Sequence, residues 1–352
     1  MDSTEADGIE DDERADRVEG EYEVAVVGGG PAGLSAALYT TRLGHDTIVL
    51  DRGGGRAAMM LETHNVIGVT EETSGNEFLA TAREQVQEYG ADYRRQYVGA
   101  IDPDGDGGFR LETSNAVYRA DRVVLAVGFS DERPDPPLPR TGRGLHYCLH
   151  CDAYVFIDEP VYVMGAGEAA AHVAMVLLNF TDDVDLLTRG ETPAWDEETA
   201  RLLEAHPVDV VHEEITGMRK RDDGWLEGFE FEDGTFREYR GGFPMYGSNY
   251  RSELLEDLGL DRNEDDTVAV DDHGRTSVDG VYAVGDVTPG HNQVPVAMGK
   301  GAQAGIAIHK ELRTYPRSLR EIQKEGGVEE RELPGVSDRL RQAAAAFSVS
   351  DD

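Results

Sequence analysis

The chain has 352 residues, which is enough for about two domains of ordinary size. Its 70 acidic residues far outnumber its 33 basic residues, and the formal net charge is −37 at pH 7. Nucleic acids and anionic membranes attract proteins through Lys and Arg side chains. The charge therefore argues against nucleic-acid binding and against binding to a membrane surface.

The basic residues are themselves unusual, because only four are lysines and 29 are arginines. A net charge of this size destabilises a compact fold in dilute buffer, but the Debye length falls to about 3 Å at molar salt and the repulsion is then largely screened. We therefore expect a halophilic protein from a salt-accumulating cell. A disordered acidic chain is less consistent with 39% apolar residues and with 41 glycines placed in apolar runs.

The N-terminal stretch has none of the features of a signal peptide. Residues from Met1 to Glu23 are acidic and lack an apolar core, and no apolar run in the chain reaches the roughly 18 residues of a membrane span. We expect a cytoplasmic protein. In that compartment a close cysteine pair is more often catalytic or metal-binding than structural.

Regular structure is expected to follow a charge-rich tail. Residues 1–20 have no apolar period and predict an acidic disordered segment, and order is expected from Tyr22. A strand at Glu23–Val27, a helix at Leu34–Leu43 and a short strand at Thr47–Leu50 then predict a βαβ unit.

The turn inside this unit has the pattern G-x-G-x-x-G. Glycines allow a tight turn and the close approach of a pyrophosphate, and the N-terminus of the following helix supplies N–H donors. An aspartate at the end of the second strand can accept a hydrogen bond from a ribose hydroxyl. In this context the pattern predicts a dinucleotide site rather than a plain glycine turn. The candidate residues are Gly28, Gly30, Pro31, Ala32, Gly33 and Asp51.

A second unit of the same kind lies further along the chain. It runs from a strand at Pro160–Met164 through a helix ending near Leu178 to a strand at Val184–Leu187. Its turn contains Gly165, Gly167 and Ala170. We therefore predict that a second dinucleotide-type unit is nested within the chain.

The remaining elements are predicted from shorter patterns. We expect a helix at Phe78–Tyr89, a buried strand at Val123–Val127 closed by Gly128, a hairpin within Trp225–Tyr239 and a last helix at Pro295–Leu312. A strand at Gly280–Val284 precedes Gly285 and Asp286. From that dipeptide alone, an aspartate is as often a helix cap as a ligand.

The two cysteines lie together in the stretch His146–Asp152. A C-x-x-C pair such as Cys148 and Cys151 suits a reversible disulfide that exchanges through a mixed disulfide. Asp152 could exchange a proton with a thiolate or be a solvated loop carboxylate, and a protonated His150 would favour the thiolate forms. No metal is predicted, because zinc sites draw ligand pairs from separated segments and no second suitable Cys/His pair exists.

This order of motifs resembles the low-molecular-weight, bacterial-type thioredoxin reductases, which are FAD-dependent pyridine nucleotide-disulfide oxidoreductases. The resemblance covers about Tyr22–Leu312. Its most specific feature is the C-x-x-C-D sequence at Cys148–Asp152 just before the second glycine motif, whereas the larger disulfide reductases carry C-x4-C in the first domain. The stretches Ala126–Gly128 and Thr276–Asp286 also match.

The resemblance implies an α/β fold with two Rossmann-like dinucleotide-binding domains, the second inserted into a discontinuous FAD domain. The expected organisation is an acidic tail at 1–20, the first part of the FAD-binding domain at 21–135, an inserted NAD(P)H-type domain carrying the CxxC at 136–243, the second part of the FAD-binding domain at 244–313 and a polar C-terminal tail at 314–352. A homodimer is expected on the same basis.

The resemblance also implies the roles of the site residues in such a flavoprotein. The first unit binds FAD with contributions from Gly128 and Gly285, Asp286 contacts the ribityl chain, and the region from Gln293 lies near the isoalloxazine. Cys151 faces the flavin, Cys148 attacks the disulfide of the partner and Asp152 handles the proton. Electrons then pass from a donor through the flavin and the redox-active disulfide to thioredoxin or to a small disulfide substrate.

The electron donor is where the chain departs from the family. NADPH-selective members carry H-R-R-x-x-x-R after the second strand of the inserted domain, and the corresponding stretch here is Thr188–Ala194. Only Arg189 remains of three arginines that would bind a 2′-phosphate. No acidic residue replaces Thr188 to indicate NADH. Use of NADPH is therefore left open, and reduced ferredoxin is an alternative donor.

Two further departures concern residues expected near the flavin. Asn292-Gln293 stands where the family commonly has Arg-Gln. The stretch Thr63–Gly68 resembles the His-Asn-Phe-Leu-Gly sequence of related dithiol oxidases, which return electrons to oxygen. His64 could be a flavin-side group or only a turn histidine.

Three functions stay open at this point. The chain is a disulfide reductase, a dithiol oxidase or a flavin-binding redox sensor without turnover. Retention of Cys148, Cys151 and Asp152 speaks against the sensor, since a binding module does not need them.

Overall fold

The computed structural model describes residues 18–105, 107–250, 253–313, 315–333 and 335–348. The described residues form two compact units. Unit 1 contains the described parts of Met1–Ala58, Asn76–Phe129 and Tyr250–Asp352, and unit 2 contains Met59–Gly75 and Ser130–Asn249. The assignment of cofactors to these units stays a prediction.

The strands are numbered in chain order. They are β1 (Val18–Val27), β2 (Thr47–Leu50), β3 (Asp92–Arg94), β4 (Val98–Asp104), β5 (Gly108–Thr113), β6 (Val117–Leu125), β7 (Ser130–Asp131), β8 (Val161–Met164), β9 (Val184–Leu187), β10 (Val208–Val211), β11 (Ile215–Lys220), β12 (Leu226–Phe231), β13 (Phe236–Glu238), β14 (Gly241–Pro244), β15 (Ser248–Asn249) and β16 (Val281–Ala283).

The α-helices are numbered in the same way. They are α1 (Pro31–Arg42), α2 (Gly75–Glu88), α3 (Leu149–Asp152), α4 (Glu168–Leu177), α5 (Glu197–Ala205), α6 (Glu253–Asp257), α7 (Val294–Leu312), α8 (Leu319–Glu325) and α9 (Asp338–Ser348). No helix among the described residues is long and apolar enough to cross a membrane.

Unit 1 is built on a seven-stranded sheet. Strands β3, β2, β1, β6 and β16 are parallel, and β5 and β4 extend the sheet in antiparallel fashion. Along β1, Val24 and Val26 belong to one apolar cluster while Ala25 and Val27 belong to another. The sheet is therefore buried on both faces, which explains the continuous apolar run in the sequence.

Helices α1 and α7 of unit 1 pack with almost no side chain between them. A Cβ atom at Gly301 of α7 would lie 2.1 Å from the carbonyl oxygen of Ala32 in α1, and one at Gly305 would lie 3.0 Å from the carbonyl oxygen of Ala36. Only glycine allows this approach. The contact brings the C-terminal part of the chain onto the first helix.

Unit 2 contains a second parallel sheet, with the strand order β10-β9-β8-β14. Along β8, Val161 and Val163 pack in one cluster and Tyr162 and Met164 in another, so this sheet too is buried on both faces. An antiparallel sheet of β11, β12 and β13 completes the unit together with the β7–β15 pair. The predicted α/β class is confirmed.

Several element boundaries differ from the sequence-based expectation. Strand β1 begins at Val18 rather than at Tyr22, because Val18 pairs with Val117 in β6. Residues 18–20 thus extend the strand into the predicted tail, and residues 1–17 of that tail lie outside the described part of the chain. The predicted polar tail after residue 314 contains α8 and α9, of which α8 begins with a capping box formed by Ser318 and Glu321.

A buried imidazole in the loop between α1 and β2 contacts α7 in unit 1. His45 is 8% exposed, its Nδ1 lies 3.0 Å from Glu23 Oε1, and its Nε2 lies 3.0 Å from Nδ1 of His309. Burial, and then the positive charge of His45 when protonated, lower the pKa of His309. The neutral form of His309 is therefore favoured in the folded state.

This pair predicts a pH-dependent stability. Because the pKa of His309 is lower in the folded than in the unfolded chain, its contribution is complete above about pH 6.5 and is lost as the pH falls through the folded value. We expect the free energy of unfolding, measured in urea at molar salt, to fall between pH 7 and pH 5. The fall should be shallower in His309→Gln, which keeps a hydrogen-bonding group but does not titrate. Equal slopes for the two proteins would contradict this interpretation.

Candidate functional site

Cys148 and Cys151 form a disulfide whose Cα atoms are 5.2 Å apart. The short helix α3 makes this possible: Cys148 precedes its first turn, and the N–H groups of Cys151 and Asp152 donate to the Cys148 carbonyl at 3.1 Å. Both cysteines are partly buried. One helical turn therefore closes the small ring and places Asp152 directly after it.

The Asp152 carboxylate lies between two imidazoles of unit 2. Its Oδ2 is 2.9 Å from Nδ1 of His146, and its Oδ1 is 4.0 Å from Nδ1 of His64. The other ring nitrogen of His64 lies 3.2 Å from Glu62 Oε2, and the ring of Tyr154 packs edge-to-face on His64 at 5.6 Å between centroids. A carboxylate with two neighbouring imidazoles can take up and release a proton beside the disulfide.

The sequence did not single out His146, although it singled out His150. His146 is 7% exposed and contacts Asp152, whereas His150 is exposed. The only signal was a histidine two residues before the first cysteine. Among the described residues, no group of three or more His, Cys, Asp or Glu side chains is arranged to hold a metal ion.

The glycine turn of unit 1 has the shape that a dinucleotide requires. Gly28 has φ = +108°, and a Cβ there would lie 2.4 Å from the Ala126 carbonyl oxygen. A Cβ at Gly33 would lie 2.0 Å from the Gly28 carbonyl oxygen, whereas one at Gly30 would meet nothing within 4 Å. Helix α1 begins at Pro31, and no side chain caps it. Open space next to an uncapped N-terminus fits a pyrophosphate.

The predicted ribose ligand Asp51 is held close to this turn. Its Oδ2 accepts a hydrogen bond from the Tyr93 hydroxyl at 2.6 Å, and its Oδ1 accepts one from the Gly53 N–H at 3.1 Å. A Cβ at Gly29 would lie 2.8 Å from the Asp51 carboxyl carbon. Burial, and then the hydrogen bond to Asp51, raise the pKa of Tyr93. Because a carboxylate has about four acceptor sites, Asp51 retains capacity for a ribose hydroxyl.

The predicted FAD residues from the C-terminal part of the chain lie close to the start of helix α1, just after the same turn. Gly285 has φ = +76°, and a Cβ there would lie 2.7 Å from the Ala32 Cβ in α1. Asp286 follows, with its Oδ2 4.0 Å from Nη1 of Arg56. Gln293 is the N-cap residue of α7, and Gly128 has φ = +63° just after β6. The structure thus places all the predicted FAD residues in unit 1.

Unit 2 repeats the glycine turn, with an acidic residue at the start of the helix. Gly165 has φ = +142°, its Cβ would lie 3.1 Å from the Cβ of Ala170, and a Cβ at Gly167 would meet nothing within 4 Å. Helix α4 begins with Glu168, whose carboxylate accepts a hydrogen bond from the Asp196 N–H at 3.1 Å. The turn has room for a pyrophosphate, but the carboxylate of Glu168 lies next to the turn.

The arginine that remains from the 2′-phosphate motif is buried. Arg189 is 8% exposed with φ = +53°, and its Nη1 is buried with no hydrogen-bond partner in the described part of the chain. Thr188 is fully buried, with its hydroxyl 3.2 Å from Nδ1 of His212. Burial, and then the charge of Glu191, raise the pKa of Tyr246 to about 12, while Arg189 opposes this effect. The guanidinium therefore lies inside unit 2, close to Tyr246.

Comparison with known proteins decides the family. Residues 22–301 match the profile of the pyridine nucleotide-disulphide oxidoreductases. The chain belongs to this family. It is 32% identical over 314 residues to a thioredoxin reductase from Peptoclostridium litorale, covering 83% of this chain and 98% of the relative. The predicted resemblance to the low-molecular-weight thioredoxin reductases is confirmed.

Other relatives support the fold and the enzyme class. The crystal structure of a thioredoxin reductase from Streptococcus pyogenes matches with a TM-score of 0.76 at 26% identity, covering 84% of this chain and 99% of that chain. An NADH dehydrogenase from Bacillus subtilis is 33% identical over 295 residues, covering 81% of this chain and 57% of the relative. The chain is an oxidoreductase with two Rossmann-like domains, and its family implies FAD and a nicotinamide cofactor.

The two open glycines provide a matched test of the cofactor sites. A Cβ atom added at Gly30 or at Gly167 would meet nothing within 4 Å, and both residues have negative φ, so alanine fits at either position without strain. We expect Gly30→Ala to lower FAD affinity by about tenfold or more, since the methyl group occupies space beside the pyrophosphate. Gly167→Ala should keep its flavin.

Flavin absorbance after gel filtration at molar salt measures this difference, with thermal unfolding of the FAD-free proteins as the control for folding. Parent-like FAD affinity in Gly30→Ala would rule out a phosphate site at α1. Equal flavin loss in the two variants would mean that the loss is not specific to the glycine turn of unit 1.

Proposed function

We propose that the protein is an FAD-dependent thiol–disulfide oxidoreductase that passes electrons through the Cys148–Cys151 disulfide to the disulfide of a thioredoxin-like protein. The observation that carries this proposal is the disulfide closed by one helical turn, followed directly by Asp152, whose carboxylate lies next to two imidazoles. The match to thioredoxin reductases over most of the chain supports the same reaction.

Bound FAD would supply the electron pair that reduces the disulfide, and the Gly28–Gly33 turn, Asp51 and Asp286 would hold it. The protein's thiols then do the exchange. The Cys148 thiolate attacks one sulfur of the partner disulfide and forms a mixed disulfide, while the other partner sulfur leaves as a thiolate. Cys151 attacks the Cys148 sulfur, which restores the internal disulfide and releases the second partner thiol. Two electrons and two protons reach the partner.

Asp152 is the proton-handling group in this scheme. The first partner thiolate to leave must gain a proton, and the attacking thiols must each lose one. Asp152 follows Cys151 directly, and its side chain is about three-quarters buried. A carboxylate in this place can carry a proton from the attacking thiol to the leaving thiolate without its loss to solvent.

We propose in addition that the protein does not select NADPH. A 2′-phosphate is bound best by exposed guanidinium groups, and Arg189 is buried. Acidic groups gather at this end of unit 2, where Glu191 and Glu214 both raise the pKa of Tyr246. These carboxylates would repel a 2′-phosphate. NADH lacks this phosphate and would not be repelled in the same way. Reduced ferredoxin is the alternative donor.

A second candidate function is that of a dithiol oxidase that returns electrons to oxygen. The specific observation in its favour is the position of His64 beside Asp152, since a nearby imidazole helps to remove protons from a dithiol substrate. The reactions of the cysteines are the same with the direction reversed. A sensor without turnover would need neither Asp152 nor its two imidazoles.

The proposal includes the cellular compartment of the enzyme and the way it binds its partner. A net charge of −37 supports work in the cytoplasm of a salt-accumulating cell. An acidic partner would be repelled at low salt, so docking should rely on apolar contacts. The proposed homodimer rests on the family resemblance alone.

Removal of one sulfur at a time tests the roles of the cysteines. We expect Cys151→Ser to keep FAD but to lose reduction of a thioredoxin-like disulfide by about a thousandfold or more, because the second exchange has no thiol. Its remaining Cys148 should trap the partner as a stable mixed disulfide, visible by mass spectrometry. Cys148→Ser is the matched control and should trap none. Trapping by Cys148→Ser instead would reverse the two roles, and unchanged turnover in Cys151→Ser would refute the mechanism.

The donor is tested by anaerobic mixing at molar salt. We expect NADH to bleach the flavin absorbance at least about tenfold faster than NADPH at equal concentration, because the 2′-phosphate meets acidic groups and no exposed arginine cluster. Faster bleaching by NADPH would contradict this expectation. Bleaching only by reduced ferredoxin would assign the alternative donor. Bleaching only by a dithiol, followed by recovery in air, would favour the oxidase.

A further inference from the structure

His146 is a buried titratable group beside the redox disulfide to which the proposed mechanism assigns no task. Its ring lies against three aromatic side chains, with Phe156 edge-to-face at 5.1 Å, Phe243 tilted at 6.1 Å and Trp225 stacked at 6.2 Å between centroids. Its backbone N–H donates to the Gly242 carbonyl at 2.9 Å. The ring therefore has one fixed position.

Among the residues that the structure describes, only one ring nitrogen of His146 has a hydrogen-bond partner. Nδ1 lies 2.9 Å from Asp152 Oδ2, and Nε2 is buried without a hydrogen-bond partner. An ionised carboxylate can only accept, so the contact requires a proton on Nδ1. Nε2 then carries a lone pair among aromatic rings, which costs less than a buried N–H without an acceptor. The aromatic surroundings thus favour the tautomer that donates to Asp152.

The aromatic side chain that stacks on His146 is itself held by two arginines. The guanidinium groups of Arg240 and Arg143 lie over the Trp225 ring, at 3.8 and 5.3 Å from its centroid, and Trp225 stacks on His146. These cation–π contacts hold Trp225 in the position in which it stacks on the imidazole. The ring of His146 is thereby fixed with its Nδ1 directed at the Asp152 carboxylate.

The far side of Asp152 is open to a different neighbour. His64 faces Oδ1, its side chain is 18% exposed, and Glu62 beyond it is 55% exposed. One carboxylate oxygen is thus fixed by a buried donor, and the other faces a group with access to solvent.

We propose that His146 is a positioning residue that holds Asp152 for proton transfer during thiol–disulfide exchange, an inference that rests on the proposed function. In the first exchange the Cys148 thiol becomes a mixed disulfide with one half of the partner, and the other half leaves. Asp152 takes the proton of the Cys148 thiol and gives it to the leaving sulfur. One S–S bond forms and one breaks, so no further oxidant or reductant is needed.

The test compares two disulfides that differ in the leaving group. The thiolate released from hydroxyethyl disulfide is basic and gains from protonation, whereas the thiolate released from an aromatic disulfide such as dithiobis(nitrobenzoate) is stable without it. Rates are measured with the prereduced protein, so the reaction does not require an electron donor. Both reactions need the Cys148 proton to be removed, but only the first also needs a proton delivered to the leaving sulfur, so a loss of proton transfer should slow the first reaction much more than the second.

Two substitutions distinguish the effect of the His146 ring from the effect of its Nδ1–H group. His146→Phe keeps an aromatic ring in the aromatic pocket and removes the donor, and His146→Asn keeps an N–H donor near Nδ1 and removes the ring. We expect His146→Phe to slow the reaction with hydroxyethyl disulfide by about a hundredfold and the reaction with the aromatic disulfide, which needs only the removal of the Cys148 proton, by no more than about tenfold. His146→Asn should recover most of the lost rate. His206→Leu, at an exposed histidine after α5, is the control and should react like the parent.

The outcomes distinguish a failure of this inference from a failure of the proposed function. A parent protein that does not react with either disulfide would refute the proposed exchange itself. A reactive parent with an unchanged His146→Phe rate, or equal losses in the Phe and Asn variants, would overturn the role of the N–H donor. Asp152→Asn gives an independent check, because adding His146→Phe to it should cause no further loss. Additive losses would show that the two residues act separately.

A measurement on the unsubstituted protein covers the case in which a variant does not fold. With 15N-labelled histidine, the His146 ring should show a proton on Nδ1, as the contact with Asp152 requires. A ring with its proton on Nε2 would overturn the inference.

Discussion

Direct contact of backbone with backbone is the constraint on which unit 1 depends. Gly33 lies against the Gly28 carbonyl, and Gly301 against the Ala32 carbonyl, at distances that any side chain would prevent. The first contact shapes the turn before α1, and the second brings α7 onto that helix from the other end of the sequence. Gly285 then reaches the Cβ of Ala32. The close packing that holds the unit together therefore also builds its predicted cofactor site.

In unit 2, aromatic packing holds the polar groups that follow and precede the disulfide. A single turn of helix closes the Cys148–Cys151 ring, and Asp152 ends that turn. A ring of aromatic side chains fixes His146, which in turn fixes one oxygen of Asp152. The proton transfer that we propose for this arrangement would work in either direction of electron flow. It therefore supports a thiol–disulfide oxidoreductase without choosing between reduction and oxidation of the partner.

The composition of the chain bears on why the phosphate-binding arginines are missing. The chain contains 29 arginines, and several of them stack on aromatic rings, as Arg240 does on Trp225 and Arg56 on Phe129. A shortage of arginine therefore does not explain why Arg189 alone remains of the phosphate motif. Its burial, together with Glu191 and Glu214 nearby, is consistent with a donor that carries no 2′-phosphate.

The sequence by itself determined the features that depend on neighbouring residues. Apolar runs such as Val24–Val27 predicted buried parallel strands, the glycine patterns predicted both turns, and C-x-x-C predicted the disulfide, because each pattern reflects local backbone geometry. Only the tertiary structure decided which distant side chains meet. The contacts of Asp152 with His146 and His64 and the burial of Arg189 depend on long-range packing, which leaves no periodic signal in the chain.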